Sequence, residues 1–169
     1  MKGGALQVAS LVRRFNLLPH PEGGYYSETY RGKQQVNLAS GQERSASTAI
    51  YYLLDNNAFS AWHRIASDEV WHFYAGSPLL VHVLLPGGEL LTHRLGSALE
   101  SSACVFQAAV PAGCWFAAEL AEPGTFAFVG CTVAPGFEFS EFELAKEADL
   151  QPWRASAKAL VTRLLKPAS

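Results

Sequence analysis

Between residues 47 and 133 the chain is cut into short apolar stretches, and this segmentation constrains the fold more than any other feature. The stretches are STAIYYLL (47–54), AFSAWHRI (58–65), EVWHFYA (69–75), LLVHVLL (79–85), ELLTHRL (89–95), ACVFQA (103–108), CWFAAEL (114–120) and TFAFVGCTV (125–133). Each is rich in β-branched and aromatic residues, and DNN, AGSP, PGG and EPG supply turns between them. Short strands at about ten-residue spacing, with no helical period between them, predict an all-β antiparallel sandwich or barrel. The barrel core is expected over about 23–144 of a single domain spanning 1–169.

Some strands are apolar on both faces. In STAIYYLL one face carries Thr48, Ile50, Tyr52 and Leu54, and the other carries Ala49, Tyr51 and Leu53. One face must line the interior while the other meets terminal helices or a second subunit, of which the subunit is the favoured expectation. At the N-terminus, ALQVASLVRRF (5–15) has the spacing of a short amphipathic helix, ended by the prolines and Gly-Gly pair of NLLPHPEGGYY. At the C-terminus, Trp153, Ala157, Leu160, Val161 and Leu164 form one stripe, predicting a helix over about 152–166 that packs on the barrel or a partner.

Composition closes off several function classes. Net charge is −2 with no basic cluster, so no nucleic-acid partner is expected. No stretch reaches the apolar length of a membrane span, and the N-terminal segment lacks an unbroken apolar core, so a cytoplasmic location and no membrane partner are expected. Cys104, Cys114 and Cys131 are odd in number and lack CxxC spacing, as reduced thiols would be.

The stretch WHRIASDEVWHFYAG (62–76) carries the candidate chemistry. Period-two alternation puts His63 on the interior face with Ala61 and Ile65. A carboxylate at Glu69 on an interior face is costly unless paired, so a Glu69–His63 pair is expected. Trp62, Trp71, Phe73, Trp115 and Phe116 supply an aromatic density suited to a ring-binding pocket, with Trp115 just after the Pro-Ala-Gly turn at the barrel mouth. Tyr26, Tyr52 and Tyr74 are the candidate proton donors. His20 in PHPEGG belongs to a turn-rich, solvated loop, and His82 and His93 read as structural.

The spacing of His63, Glu69 and Gly76 resembles the first cupin motif, with Ile65 in the place of that motif's second histidine. PAGCWF (111–116) resembles the second motif, with Phe116 in the place of its last ligand. Two of four family ligands remain, so no cofactor is expected. The alternative is a divalent transition metal on His63, Glu69 and a recruited His72, although alternation points His72 away from Glu69. Together LLPHPEGGYYSETYR (17–31), STAIYYLL, SAWHRIASDEVWHFYAG, VPAGCWFAA and VGCTVAPGFEFSEFEL resemble the DUF985 (Cupin_5) family of small single-domain cupins over residues 8 to 145. That resemblance implies a double-stranded β-helix, or jelly-roll barrel, with short terminal helices, commonly a homodimer, with an interior pocket and no established reaction.

GGYYSETYR and VGCT are also similar, more distantly, to metal-free sugar-nucleotide 3,5-epimerases. This similarity implies a histidine base, a carboxylate behind it and a tyrosine acid opposite. His63 matches the base, but residues 125 to 140 hold no tyrosine, and no aspartate falls between Asp68 and Asp149. The expectation is therefore a small-molecule-binding cupin, in its catalytic form a metal-independent isomerase or epimerase acting on a carbohydrate-like ligand such as a sugar nucleotide. His63, Glu69 and Tyr74 are its expected catalytic groups, and Trp62, Trp71, Phe73, Trp115, Tyr52, Tyr26 and Phe116 its ligand contacts. The alternatives are a metal-dependent oxygenase or lyase and a non-catalytic sensing module.

Overall fold

A computed structural model describes residues 2–166. Helix α1 (Lys2–Arg14) leads into β1 (Leu18–Pro19), β2 (Tyr25–Arg31) and the small hairpin of β3 (Gln35–Asn37) and β4 (Glu43–Ser45). Then come β5 (Thr48–Asn56), β6 (Phe59–Arg64), β7 (Asp68–Gly76), β8 (Leu79–Leu84) and β9 (Leu90–Leu95). The barrel closes with β10 (Gln107–Val110), β11 (Trp115–Leu120), β12 (Thr125–Ala134) and β13 (Glu143–Leu144), followed by helix α2 (Arg154–Arg163). One sheet has the order β1-β2-β5-β12-β7-β10 and the other β13-β6-β11-β8-β9. All ladders are antiparallel, and the two sheets face each other as a double-stranded β-helix, which is the expected fold.

The interior between the sheets is filled by Leu54, Trp71, Val81, Val83, Phe116 and Val129, each from the inward set of its strand. The outer apolar faces are covered by the chain itself. Val8, Leu11, Val12 and Phe15 of the N-terminal segment pack on Leu53, Tyr51 and Phe128. At the other back, Ala157, Val161 and Leu164 pack on Trp62, Leu84 and Trp115. On the second face of β5 Leu53 is thus buried and Tyr51 half-buried by the N-terminal segment, where the sequence favoured a second subunit. No helix among the described residues is long and apolar enough to cross a membrane.

Two element boundaries differ from expectation. Val105 and Phe106 are exposed and only Cys104 turns inward, against Gly96, so the tenth strand starts at Gln107. The C-terminal helix is preceded by a 3-10 segment, Glu147–Trp153, because Pro152 lacks the amide that an α-helical turn would need, and α2 begins only after it.

Candidate functional site

Antiparallel register fixes which side chains meet inside the first sheet. Glu69, Val133, Thr48 and Arg31 form one inward row across β7, β12, β5 and β2. Trp71, Cys131, Ile50 and Glu28 form the next, and Phe73, Val129, Tyr52 and Tyr26 the third. A bulge at Thr29 shifts the parity of β2, so Glu28 and Arg31, three apart, both face inward. The rows of Glu69, Cys131 and Tyr52 look onto a cavity of about 390 Å³, closed opposite by His63 and Ile65 and roofed by Phe137, Phe139 and Phe142.

His63 is 3% exposed, and neither ring nitrogen is free. Nδ1 lies 2.7 Å from the Ala61 carbonyl, and Nε2 lies 3.0 Å from Glu22 Oε2. Both partners are acceptors, so the ring carries both protons as an imidazolium. Burial opposes that charge, but Glu22, by charge and hydrogen bond, the charge of Glu69 and the Ala61 carbonyl raise its pKa above the ordinary value. Burial likewise works against ionisation of Glu22, yet the charge and hydrogen bond of His63, with the Ser60 hydroxyl, hold its pKa down at about 2. The Ser60 hydroxyl donates to Glu22 Oε1 at 2.8 Å, and the Ala61 amide donates to the Glu22 carbonyl. Glu22 is thereby docked along β6 as the counter-charge of His63.

The local sequence explains how Glu22 arrives there. Gly23 and Gly24 have φ of 120° and 69°, and a Cβ on either would overlap backbone oxygens of Phe59 and Leu53. Only glycines let the loop press this closely onto the barrel. Tyr52 closes the same turn, its hydroxyl donating to the Gly23 carbonyl at 2.7 Å. The Glu22 amide donates to His20 Nδ1 at 3.2 Å, so that nitrogen is an acceptor. His20 is neutral, consistent with a pKa lowered chiefly by burial.

Glu69 is the unbalanced group. It is 7% exposed, and among the described residues it has no ion pair; its polar neighbour is the Cys131 thiol. Burial raises its pKa to about 7, against the charge of His63 and with that of Glu22. Burial and Glu69 push the Cys131 thiol well up, so it is a neutral donor rather than a nucleophile.

The structure brings His63, Glu69, Tyr52 and Tyr26 to one cavity and disperses the other expected residues. His63 pairs with Glu22, not Glu69. Tyr74 is the extra residue of a bulge in β7, turned outward over Gly130 and 50% exposed. Trp62 and Trp115 lie on the back of the second sheet beneath α2, with Arg64 over the Trp115 ring at 4.5 Å. Trp71 and Phe73 point inward but belong to the packed core below the cavity. Phe116 fills core space against His63, with ring centroids 4.0 Å apart, and does not line the cavity. His20, expected in a solvated loop, is a cavity wall packed on Tyr26 at 4.6 Å. His82 sits behind the second sheet, between Thr92 and Glu119.

A metal does not fit these residues. His72 lies on the outer face, bonded to Thr132 and Gln107, and cannot join His63 and Glu69. His63 has no lone pair to offer, and Ile65 and Phe116 stand at the other two positions of the cupin pattern. Among the described residues no group of three or more His, Cys, Asp or Glu side chains is placed to bind an ion.

Glu22, Glu28, Arg31, Cys131 and the phenylalanines of 137–142 escaped sequence reasoning. Glu22 carried one usable signal, an acid immediately before a Gly-Gly pair. Arg31 and Glu28 carried none, because strict alternation puts them on opposite faces.

Residues 9–145 match the family described as Cupin superfamily (DUF985). A solved structure of a protein from Shewanella oneidensis is 35% identical, with 94% of this chain and 97% of that one covered and a TM-score of 0.83. A hypothetical protein from Leishmania major is 32% identical, covering 93% and 97%, with a TM-score of 0.84. An uncharacterised protein of Saccharomyces cerevisiae is 28% identical over 153 residues, 82% of this chain and 75% of the yeast protein. With the match spanning the barrel from α1 to β13, the chain belongs to the DUF985 family of the cupin superfamily.

Proposed function

We propose that the cavity is a metal-independent binding and proton-transfer site of isomerase type, with Glu69 rather than His63 as the group that moves the proton. The observation carrying this reading is the contrast between two buried groups. His63 is tied at both nitrogens to Ala61 and Glu22, whereas Glu69 faces the cavity with no cation on it. A general base needs a free lone pair and a pKa near working pH, and of these two groups Glu69 has both. In the step this supports, the Glu69 carboxylate takes a proton from a carbon next to a carbonyl, leaving an enolate. The same carboxyl then returns the proton to the neighbouring carbon while the substrate's own hydroxyl proton passes to the enolate oxygen, which turns the hydroxyl carbon into the new carbonyl, so one group serves both carbon centres. The fixed His63–Glu22 pair places a positive ring edge near the developing negative charge.

The cavity also bears on the ligand. Its volume is at the small end for ligand pockets, and its arginine, Arg31, is already bonded to Glu28 and Glu138. A small ligand without a diphosphate suits it better than a sugar nucleotide. The test is deuterium incorporation from heavy water into a panel of small α-hydroxy carbonyl compounds, followed by proton NMR. Exchange with at least one compound is expected, falling about a hundredfold or more in Glu69→Gln. Equal exchange by wild type and Glu69→Gln would sink the assignment. Binding without any exchange would make the cavity a sensing module instead.

A further inference from the structure

The cavity mouth combines two features that the proton-transfer reading does not use. The first is charge. Arg31 donates two hydrogen bonds to Glu28, at 2.9 Å each, and one to Glu138 at 2.7 Å, with a further one to the Phe137 carbonyl. Two carboxylates against one guanidinium leave the rim one negative charge in excess. The His63–Glu22 pair deeper inside is neutral as a unit, and His20 is uncharged, so among the described residues of the wall no net positive charge offsets that excess. Glu69, 7% exposed and facing the same space without a cationic partner, is a second anion whenever it is ionised.

The second feature is a set of aromatic walls. Tyr26, Phe137, Phe139 and Phe142 all line the cavity. Their rings stand nearly at right angles, 71° for Tyr26 and Phe139, 82° for Phe137 and Phe139 and 72° for Phe139 and Phe142. Rings so inclined wall the space from several sides. Phe139 remains 49% exposed, although it sits among other aromatic rings. The segment bearing these phenylalanines is anchored from below by Arg44, which bonds the Gly136 carbonyl and both oxygens of Glu141. The walls are therefore held in place before any ligand arrives.

We propose that this mouth is a site for an organic cation, an ammonium or guanidinium group of a small ligand, held against the Tyr26 and Phe139 rings and the excess carboxylate charge of Glu28 and Glu138. Aromatic faces carry negative potential and attract weakly hydrated cations, and nearby carboxylates add to the attraction. The site rests on the same cavity being a ligand site, but not on Glu69 transferring a proton.

The experiment is isothermal titration calorimetry on the full chain with charged probes and neutral twins. Choline is compared with 3,3-dimethylbutan-1-ol, and guanidinium with urea at non-denaturing concentration. At least one cation is expected to bind about tenfold or more tightly than its twin. Phe139→Ala, at a half-exposed position that should leave folding intact, is expected to weaken that cation about three- to thirtyfold. Glu138→Gln is expected to weaken it too, with the twin unaffected. Equal binding of cation and twin, preferential binding of inorganic pyrophosphate, or no cation binding below about 10 mM each overturns the proposal. The two readings fail separately. Cation preference that survives in Glu69→Gln, with deuterium exchange unchanged there, removes only the proton-transfer role. Exchange abolished in Glu69→Gln, with cation and twin bound equally, removes only the cation site.

Discussion

Two glutamates lining one cavity have opposite titration behaviour, and their neighbours decide which way each goes. Glu22 has an imidazolium and a hydroxyl on its oxygens, while Glu69 has a thiol and apolar wall. The pH dependence of stability follows with definite signs. Glu22, at about 2 in the folded chain against an ordinary 4.5, contributes stability that is present above 4.5 and lost as pH falls towards 2. His63, raised above 6.5, contributes below 6.5 and loses its share as pH rises through its folded value. Glu69, raised to about 7, costs nothing below 4.5 and increasingly destabilises the fold as pH climbs from 4.5 to 7. Glu69→Gln should therefore match wild type below pH 4.5 and exceed it above pH 7 by on the order of 3 kcal/mol. Urea unfolding at a series of pH values reads this, and a difference independent of pH would mean that Glu69 is not buried in its charged form. Glu22→Gln should instead destabilise at pH 6, by about 3 kcal/mol, since it strands the His63 charge. Little of this was legible in the sequence. A buried histidine can be guessed from alternation, but its partner is forty-one positions upstream (63 minus 22) in a loop that reads as solvated.

At the scale of elements, alternation located the inward face correctly wherever a strand ran without interruption. Tyr52, His63 and Glu69 face inward as their parity requires, and Trp62 and Trp115 face outward for the same reason. Alternation failed at the bulge in β2, where one extra residue reverses every later assignment on that strand, so Arg31 joined Glu28 unforeseen. Tyr74, an expected proton donor, lies outside, on the side that the inward set of Glu69, Trp71 and Phe73 leaves to it. The Gly23-Gly24 turn makes a sharper test of how elements build the site. Gly24 has φ of 69°, and a Cβ there would overlap the Leu53 carbonyl and crowd the Tyr52 hydroxyl, whereas Gly88, with φ of 90°, has open space around it. Gly88→Ala pays only backbone strain, about 1 kcal/mol, while Gly24→Ala should cost about 2 kcal/mol more through crowding. Gly24→Ala should also loosen the cavity, detected as weakened binding of whichever probe the wild type takes. Equal losses in the two variants would show that the turn does not hold Glu22 against β6.

At the scale of the whole molecule, each sheet has one face on the shared interior and part of its back under a terminal helix, so the site is isolated from both surfaces that the helices cover. The cavity wall draws on β2, β5, β6, β7, β12 and the 137–142 segment, which meet only after both sheets have closed. A short sequence motif can therefore announce the barrel yet not the site, which is an assembly of distant rows. The division of labour also predicts which damage will reach the cavity. Leu164 is 1% exposed under the second sheet, packed with Trp62 and Val161, and its carbonyl accepts the Trp62 amide. Leu164→Ala should cost about 3 kcal/mol in chemical denaturation, a figure set by the buried volume removed. Leu6→Ala, at a 73% exposed position of α1, should stay within about 0.5 kcal/mol of wild type. Neither change touches the cavity wall, so a cation probe should bind folded Leu164→Ala with wild-type affinity. A stability loss under about 0.5 kcal/mol for Leu164→Ala would mean that α2 does not seal the barrel in solution, and the apolar back of that sheet would then have to be covered by something else.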